Sequence, residues 1–196
     1  MDRFWLLTTT FYGNWLPGDP RGFVSRVRDI RPGERGCVSA RSDDLSNPAR
    51  HEHDVPGTPY DEDLPGLHRA AREQLRSAPI RIGPEHASVL LEQFQETARC
   101  RGWTLLAVAI MSNHVHLVVG VMGDPSPTKV LGDIKAYGSR ALNRRWGKPP
   151  SETWWTYDGS KRKLKNEETL LNAINYVRNQ PNALLIWIDP HFLSSR

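Results

Sequence analysis

The hydrophobic pattern of the chain predicts several strands that join into one sheet. Aromatic and β-branched residues dominate positions 4–11, and two nearly continuous apolar runs follow much later, at 103–111 and 114–121. Ser112 and Asn113 separate these two runs and can turn the chain between antiparallel neighbours. A further aromatic stretch at 153–157 predicts a fourth strand, and the apolar residues 183–188 can add an edge strand.

Apolar residues recur at helical spacing in three other stretches. The first follows Pro84 and ends at Gly102, and the second lies between a Ser126 cap and Gly147. The third begins at an Asn166 cap and ends before Pro181. The order β-α-β-β-α-β is that of an α+β, ferredoxin-like fold. We therefore expect a four-stranded antiparallel sheet with helices on one face, followed by a C-terminal helix.

The length of the chain suits one domain, but a long segment interrupts the pattern. At 196 residues, we expect a single domain spanning 1–196. Between about 24 and 79 periodicity disappears, charges of both signs mix and prolines recur, which predicts a polar insertion that is at best partly ordered. His51 and His53 lie there without the apolar alternation that would hold a metal site, so we assign them none.

Composition narrows the environment of the protein. Cys37 and Cys100 are too few for a disulfide framework or a thiolate zinc cluster, which fits a reducing cytoplasm. No apolar run is long enough to span a bilayer, and we expect a soluble, cytoplasmic protein without a membrane partner. The net charge of +4 is modest, so the distribution of charge is more informative than its sum.

The strongest candidate chemistry combines two histidines with a tyrosine. His114 and His116 alternate with apolar residues on a predicted strand, so both imidazoles project from one face. Tyr176 and Gln180 lie one turn apart on the polar side of the terminal helix. Two imidazoles and one amide oxygen, with positions left open, suit Mg²⁺ or Mn²⁺ beside a phosphate. A tyrosine hydroxyl aided by such a cation can attack that phosphate and form a phosphotyrosine.

A second tyrosine competes for the role of nucleophile. Tyr137 belongs to the helix that carries basic residues. It falls within the apolar stripe of that helix, and position 141, one turn later, is Ala rather than Gln or a carboxylate. We therefore interpret Tyr137 as a core residue.

Basic and aromatic residues late in the chain predict a polyanion partner. Positive side chains exceed negative ones between 135 and 165, and neighbouring tryptophans can stack on bases. The predicted DNA contacts are Lys135, Arg140, Arg144, Arg145, Lys161, Arg162, Lys163, Trp154 and Trp155. One or both tryptophans can equally belong to the core.

The segment Met111-Ser112-Asn113-His114-Val115-His116-Leu117-Val118-Val119, followed by Tyr176-x-x-x-Gln180, resembles the HUH-type single-tyrosine transposases of simple bacterial insertion sequences. It also resembles their relatives associated with repetitive extragenic palindromes. The resemblance implies that His114, His116 and Gln180 bind the divalent metal. It further implies that Tyr176 attacks single-stranded DNA, folded as a hairpin near the cut, to give a 5′-phosphotyrosine. Members of the family act as homodimers or as monomers, and a homodimer is therefore one expectation.

Two other functions fit parts of the sequence. A non-catalytic nucleic-acid-binding domain derived from such an enzyme would use the free sheet face and the basic helix. A small zinc hydrolase would need a third histidine or a carboxylate, for which Asp133 and His191 are candidates, and Tyr176 would be dispensable.

Overall fold

The structure, a computed structural model, describes residues 3–20, 65–123, 125–157 and 159–194. Contacts divide the chain into two compact units, Met1–Asn14 with Leu75–Arg196, and Trp15–Gln74. The described elements are β1 (Arg3–Thr10), α1 (Pro65–Glu73), α2 (Pro84–Arg101), β2 (Thr104–Ile110), β3 (His114–Val121), α3 (Pro127–Trp146), β4 (Ser160–Leu164), α4 (Glu167–Arg178), β5 (Leu185–Ile188) and α5 (Pro190–Ser194).

The first unit contains a five-stranded sheet in the order β4-β1-β3-β2-β5. All four pairings between neighbouring strands are antiparallel. β1 and β3 pair along their full length, with Thr8 opposite His116 and Thr10 opposite His114. The consecutive strands β4-β1-β3-β2 have the ferredoxin-like order expected of β-α-β-β-α-β, and the predicted edge strand is confirmed as β5, which pairs with β2.

Apolar side chains cover both faces of this sheet. On one face, Leu7 of β1, Phe11 just after it and alternate residues of β3 form a core with the buried sides of α2 and α3. On the opposite face, α4 packs against the sheet with Leu170, Ala173, Ile174 and Val177. The fold class is confirmed, with α2 and α3 on one face and the C-terminal helix on the other.

Local signals set the ends of these helices as predicted. Ser126 caps α3 by accepting a hydrogen bond from the Lys129 backbone, and Gly102 ends α2 in a left-handed conformation. Asn166 and Thr169 form a reciprocal capping box at the start of α4. The tight first turn fixes where α4 begins and so fixes the direction of each later side chain on it.

The position of the fourth strand differs from the prediction. It is Ser160–Leu164, and residues 153–157 contribute only an isolated bridge between Trp155 and Phe11. Trp154 and Trp155 have high strand propensity, but both are buried and pack as core anchors. The true strand lies at an edge, where charged residues are tolerated and apolar alternation is weak.

Part of the predicted insertion is helical. α1 lies within it and has no buried residue, so its exposed surface gives no apolar signal in the sequence. Cys37, His51 and His53 lie outside the described residues, and the extent of the insertion and the single-domain organisation stay predictions. Among the residues described, no helix has the length and apolar content needed to cross a bilayer.

Candidate active site

The two histidines of β3 lie on the sheet face that α4 covers. Val115, Leu117 and Val119 belong to the core on the opposite face, which confirms the predicted alternation along the strand. The imidazole rings of His114 and His116 are 4.8 Å apart between centroids and nearly perpendicular. His116 is buried, and His114 is partly exposed. The pair therefore has a protected member at the centre of the sheet and an open member at the strand end.

Helix α4 brings Tyr176 to this pair. Its buried residue Val177 faces the sheet, and Tyr176 lies beside that contact with about half of its surface exposed. The Tyr176 hydroxyl is 3.3 Å from Nε2 of His116, and the two rings meet edge to face at 5.1 Å. Residues 60 positions apart in sequence are thus within hydrogen-bond distance, and the phenol remains accessible to a large substrate.

The environment of His116 keeps its imidazole neutral. Burial lowers the pKa of His116 to about 3, and the neighbouring charge of His114 acts in the same direction. A neutral imidazole has one nitrogen with a free electron pair. At neutral pH this nitrogen can therefore bind a cation or accept a hydrogen bond.

Gln180 lies one turn beyond the tyrosine. Its amide nitrogen donates a hydrogen bond to the Tyr176 carbonyl oxygen at 3.1 Å, next to the end of α4. The structure thus brings His114, His116 and Tyr176 together and places Gln180 against the tyrosine backbone. Within the described ranges, no three His, Cys, Asp or Glu side chains form a metal-binding group. The third ligand needed by the zinc hydrolase hypothesis is not found there.

Two polar residues that the sequence did not single out contact the imidazoles. Thr8 Oγ1 is 2.7 Å from Nδ1 of His116, and Asn113 Oδ1 is 2.7 Å from Nδ1 of His114. Thr8 is on β1, so its contact depends on a strand register that the sequence alone does not provide. Asn113 is next to His114 in the sequence, but its residue type and position predicted only a turn between two strands.

Tyr137 lies on the other side of the sheet from the histidines. It belongs to α3, whose buried residues pack on the face opposite α4. The prediction that it is a core residue is wrong, because Tyr137 is only half-buried at the helix surface. Arg101 donates to its hydroxyl at 3.4 Å, and the Arg140 guanidinium lies 4.9 Å from its ring centroid. The sheet separates this tyrosine from the imidazole pair.

The predicted basic contacts of α3 share that far side, and three of them contact protein groups. The Lys135 ammonium donates to the carbonyl oxygens of Thr156 and Tyr157. Arg144 donates to Gln93 at 3.2 Å. The Arg145 guanidinium lies over the Trp146 ring, 5.1 Å from its centroid. These residues, with Arg140, form a basic helix surface across the sheet from Tyr176.

The basic residues of β4 are divided between the two faces. Arg162 is paired with Leu6, whose side chain packs on the α4 side, whereas Lys161 and Lys163 are paired with Leu7 and Trp5 of the opposite core. Residues directly opposite each other in a ladder share a face. Arg162 is therefore the predicted basic residue of β4 that shares the face of the imidazoles.

The two tryptophans proposed to stack on bases are core residues. Trp155 stacks on Phe11 with 4.6 Å between centroids, and its indole N–H donates to the Lys135 carbonyl oxygen. The indole of Trp154 donates to Asn143 at 2.8 Å. Both are more than nine-tenths buried. We therefore assign them to packing rather than to DNA.

Comparison with known proteins places the chain in a family. Residues 76–180, more than half of the chain, match the family described as "Transposase IS200 like". A similar solved structure is a REP-associated tyrosine transposase bound to a REP hairpin, with 11% identity and a TM-score of 0.45. That match covers 89% of this chain, which spans 64% of the other protein.

A second similar structure is a putative transposase from Deinococcus radiodurans R1, with 21% identity and a TM-score of 0.38. The match covers 48% of this chain and 75% of the Deinococcus protein. Among curated proteins, no match was found. Because both TM-scores are low, the assignment rests on the family match and on the residues at the site. The chain belongs to the family of IS200-like transposases.

Proposed function

We propose that this protein is a transposase that cleaves and rejoins single-stranded DNA through a covalent 5′-phosphotyrosine at Tyr176. Family membership supports the class of reaction. The observation that carries the assignment of the nucleophile is the 3.3 Å approach of the Tyr176 hydroxyl to Nε2 of His116.

The residues present fit a divalent cation, Mg²⁺ or Mn²⁺. His114 and His116 each use Nδ1 in a hydrogen bond, which leaves Nε2 as the nitrogen for a ligand role. Gln180 has an amide oxygen in addition to the nitrogen that donates to Tyr176. A cation held by these three side chains would supply positive charge beside the scissile phosphate.

The reaction exchanges one phosphodiester for another. The Tyr176 oxygen attacks the phosphorus and loses its proton to solvent, while the bond from phosphorus to the 3′ oxygen breaks. The released 3′ oxygen takes up a proton and becomes a hydroxyl. Attack by a second 3′ hydroxyl reverses these changes and frees the tyrosine. Because the ester bond is conserved at each stage, rejoining needs no nucleotide cofactor.

The chain supplies the other requirements of this reaction. About half of the Tyr176 surface is exposed, which gives the DNA backbone access to the phenol. Arg162 lies on the same sheet face and offers a positive charge to neighbouring phosphates. The tyrosine and both imidazoles belong to one chain, so the proposal does not need a second copy to complete the site. A hairpin near the cut and a homodimer stay predictions.

The test is formation of a denaturation-resistant protein–DNA adduct. End-labelled single-stranded hairpins carrying the flanking DNA of the gene are incubated with protein and Mg²⁺ or Mn²⁺. We expect an adduct with the wild type that is absent in Tyr176→Phe and absent after chelation. Tyr137→Phe is the matched control, since it removes the other candidate hydroxyl from the far side of the sheet, and it should retain the adduct.

Two outcomes would contradict the proposal in different ways. An adduct that survives Tyr176→Phe but disappears in Tyr137→Phe would transfer the nucleophile to α3. A wild type that binds the hairpins but gives no adduct under any of these conditions would favour the non-catalytic binding domain.

A further inference from the structure

In both imidazoles, Nδ1 lies within hydrogen-bond distance of a protein side chain. These contacts distinguish the site from two histidines that merely share a strand. In each ring, Nδ1 is 2.7 Å from a side-chain oxygen, Thr8 Oγ1 for His116 and Asn113 Oδ1 for His114. The two oxygens come from different parts of the chain, a neighbouring strand and a tight turn. Because two independent elements make the same contact at the same distance, the protein fixes which nitrogen carries the proton in each ring.

The contact at His114 has a clear chemical direction. An amide oxygen only accepts hydrogen bonds, so Nδ1 of His114 is the donor and carries the proton. The backbone of Asn113 is held as well, because its carbonyl oxygen accepts from the Phe11 N–H at 2.9 Å. With Nδ1 protonated in a neutral ring, the electron pair of His114 lies on Nε2.

The contact at His116 follows from the strand register. Thr8 is directly opposite His116 in the β1–β3 ladder, so both side chains project toward α4. A threonine hydroxyl can accept as well as donate. The other ring nitrogen, Nε2, meets the Tyr176 hydroxyl. An Nδ1–H donated to Thr8 leaves Nε2 of His116 to accept from the phenol or to bind a cation.

We propose that Thr8 and Asn113 are positioning residues that hold His116 and His114 in the Nδ1–H tautomer, so that the electron pair of each ring lies on Nε2. The inference rests on the proposed function only for the identity of the ligand, a divalent cation. Hydrogen-bond partners of this kind orient imidazole ligands, and losing one typically weakens metal binding about 10- to 100-fold.

The first measurement reads the tautomers without metal or DNA. In the full-length protein with ¹⁵N-labelled histidine, long-range ¹H–¹⁵N NMR distinguishes the protonated from the unprotonated ring nitrogen. We expect both His114 and His116 to be protonated at Nδ1. Thr8→Val should convert His116 to a mixture of tautomers, whereas Thr8→Ser, which keeps the hydroxyl, should restore the wild-type state. An Nε2–H form of His116 in the wild type would overturn the proposal.

The second measurement is Mn²⁺ affinity, read from the free-ion signal by electron paramagnetic resonance. We expect roughly 10-fold or greater weakening in Thr8→Val and in Asn113→Ala, with recovery in Thr8→Ser and Asn113→Asp. Thr9→Val is the matched control. It removes the next hydroxyl of β1, which faces the opposite core and has no hydrogen-bond partner among the residues described.

The two measurements separate this proposal from the proposed function. Wild-type affinity in Thr8→Val, together with unchanged tautomers, would overturn the positioning role. Nδ1–H tautomers that depend on Thr8 in a protein that binds no Mn²⁺ would support the positioning role and contradict the metal site.

Discussion

At the scale of single residues, His116 combines burial with a contact at each of its two ring nitrogens. It is 5% exposed, its Nδ1 contacts Thr8, and its Nε2 contacts the hydroxyl of Tyr176. A buried neutral imidazole with both nitrogens engaged is costly to protonate. The ring is therefore neutral, and able to bind a cation, at neutral pH. Its burial also makes the stability of the fold depend on pH in acid.

We expect His116 to make the metal-free protein less stable as the pH falls. Its pKa is about 3 in the folded state against an ordinary value of 6.5, so the unfolded chain takes up this proton first. The stabilisation is complete above pH 6.5 and declines between there and about pH 3, by up to about 1.4 kcal/mol per pH unit. Urea unfolding between pH 7 and 4.5 should show a shallower decline in His116→Gln than in the wild type. Equal slopes would contradict the burial effect.

The electron pair on Nε2 of His116 cannot serve the tyrosine and a cation together. Removing the phenol hydroxyl should therefore favour cation binding by the net free energy of one hydrogen bond, about 0.5–1.5 kcal/mol. We expect Tyr176→Phe to bind Mn²⁺ about 2- to 10-fold more tightly, while Tyr137→Phe should match the wild type. Isothermal titration calorimetry measures both. Weaker binding in Tyr176→Phe would mean that the hydroxyl helps to hold the cation.

Residue types and spacing predicted His114, His116 and Tyr176, but not the partners that hold them. The alternation on β3 and the helical spacing on α4 are local properties, and the sequence displays them directly. Thr8 reaches His116 only through the pairing of two strands 108 positions apart. Contacts of that kind depend on register, which is a tertiary property.

At the scale of elements, the apolar side of α4 determines where Tyr176 points. Leu170, Ala173, Ile174 and Val177 bury against the sheet, and the capping box fixes the first turn. Every later residue of a regular helix then has a defined direction. The sequence predicted this element closely because both its cap and its apolar stripe are local signals.

Strand β4 shows the opposite case. Its sequence Ser-Lys-Arg-Lys-Leu has one apolar residue, and β-propensity instead favours the tryptophan pair that precedes it. The strand forms because β1 offers an unpaired edge, and the tryptophans are used to fill the core beside α3. An edge strand defined by its neighbour is not visible in a single sequence.

The division of β4 between two faces predicts unequal roles for its charges. We expect Arg162→Ala, made in a Tyr176→Phe background to prevent reaction, to weaken binding of single-stranded DNA. It should also lower the slope of log affinity against log salt by about 0.7, the value for one phosphate contact. Lys163→Ala is the matched control, since Lys163 points to the other face. Fluorescence anisotropy at several salt concentrations measures both. An equal or larger effect of Lys163→Ala would contradict the assignment.

At the scale of the whole molecule, the sheet separates two surfaces with different properties. One face holds the imidazole pair, Tyr176 and Arg162, and the other holds α2 and α3 with Tyr137 and the basic residues of α3. The sequence predicted the order of elements and the antiparallel sheet because hydrophobic periodicity determines both. It grouped all the basic residues into one DNA surface, because distance along the chain does not reveal which face a side chain occupies.

The central claim is that Tyr176, and not Tyr137 on the other side of the sheet, is the nucleophile. Identifying the tyrosine to which DNA becomes attached tests this claim most directly. After reaction with a single-stranded hairpin and Mn²⁺, trypsin and nuclease digestion leave a nucleotide attached to one tyrosine peptide. Tyr176 and Tyr137 fall in separate tryptic peptides, 166–178 and 136–140. Mass spectrometry should find the added nucleotide on Tyr176 in peptide 166–178. Modification of Tyr137 in peptide 136–140, on the far side of the sheet, would contradict the account.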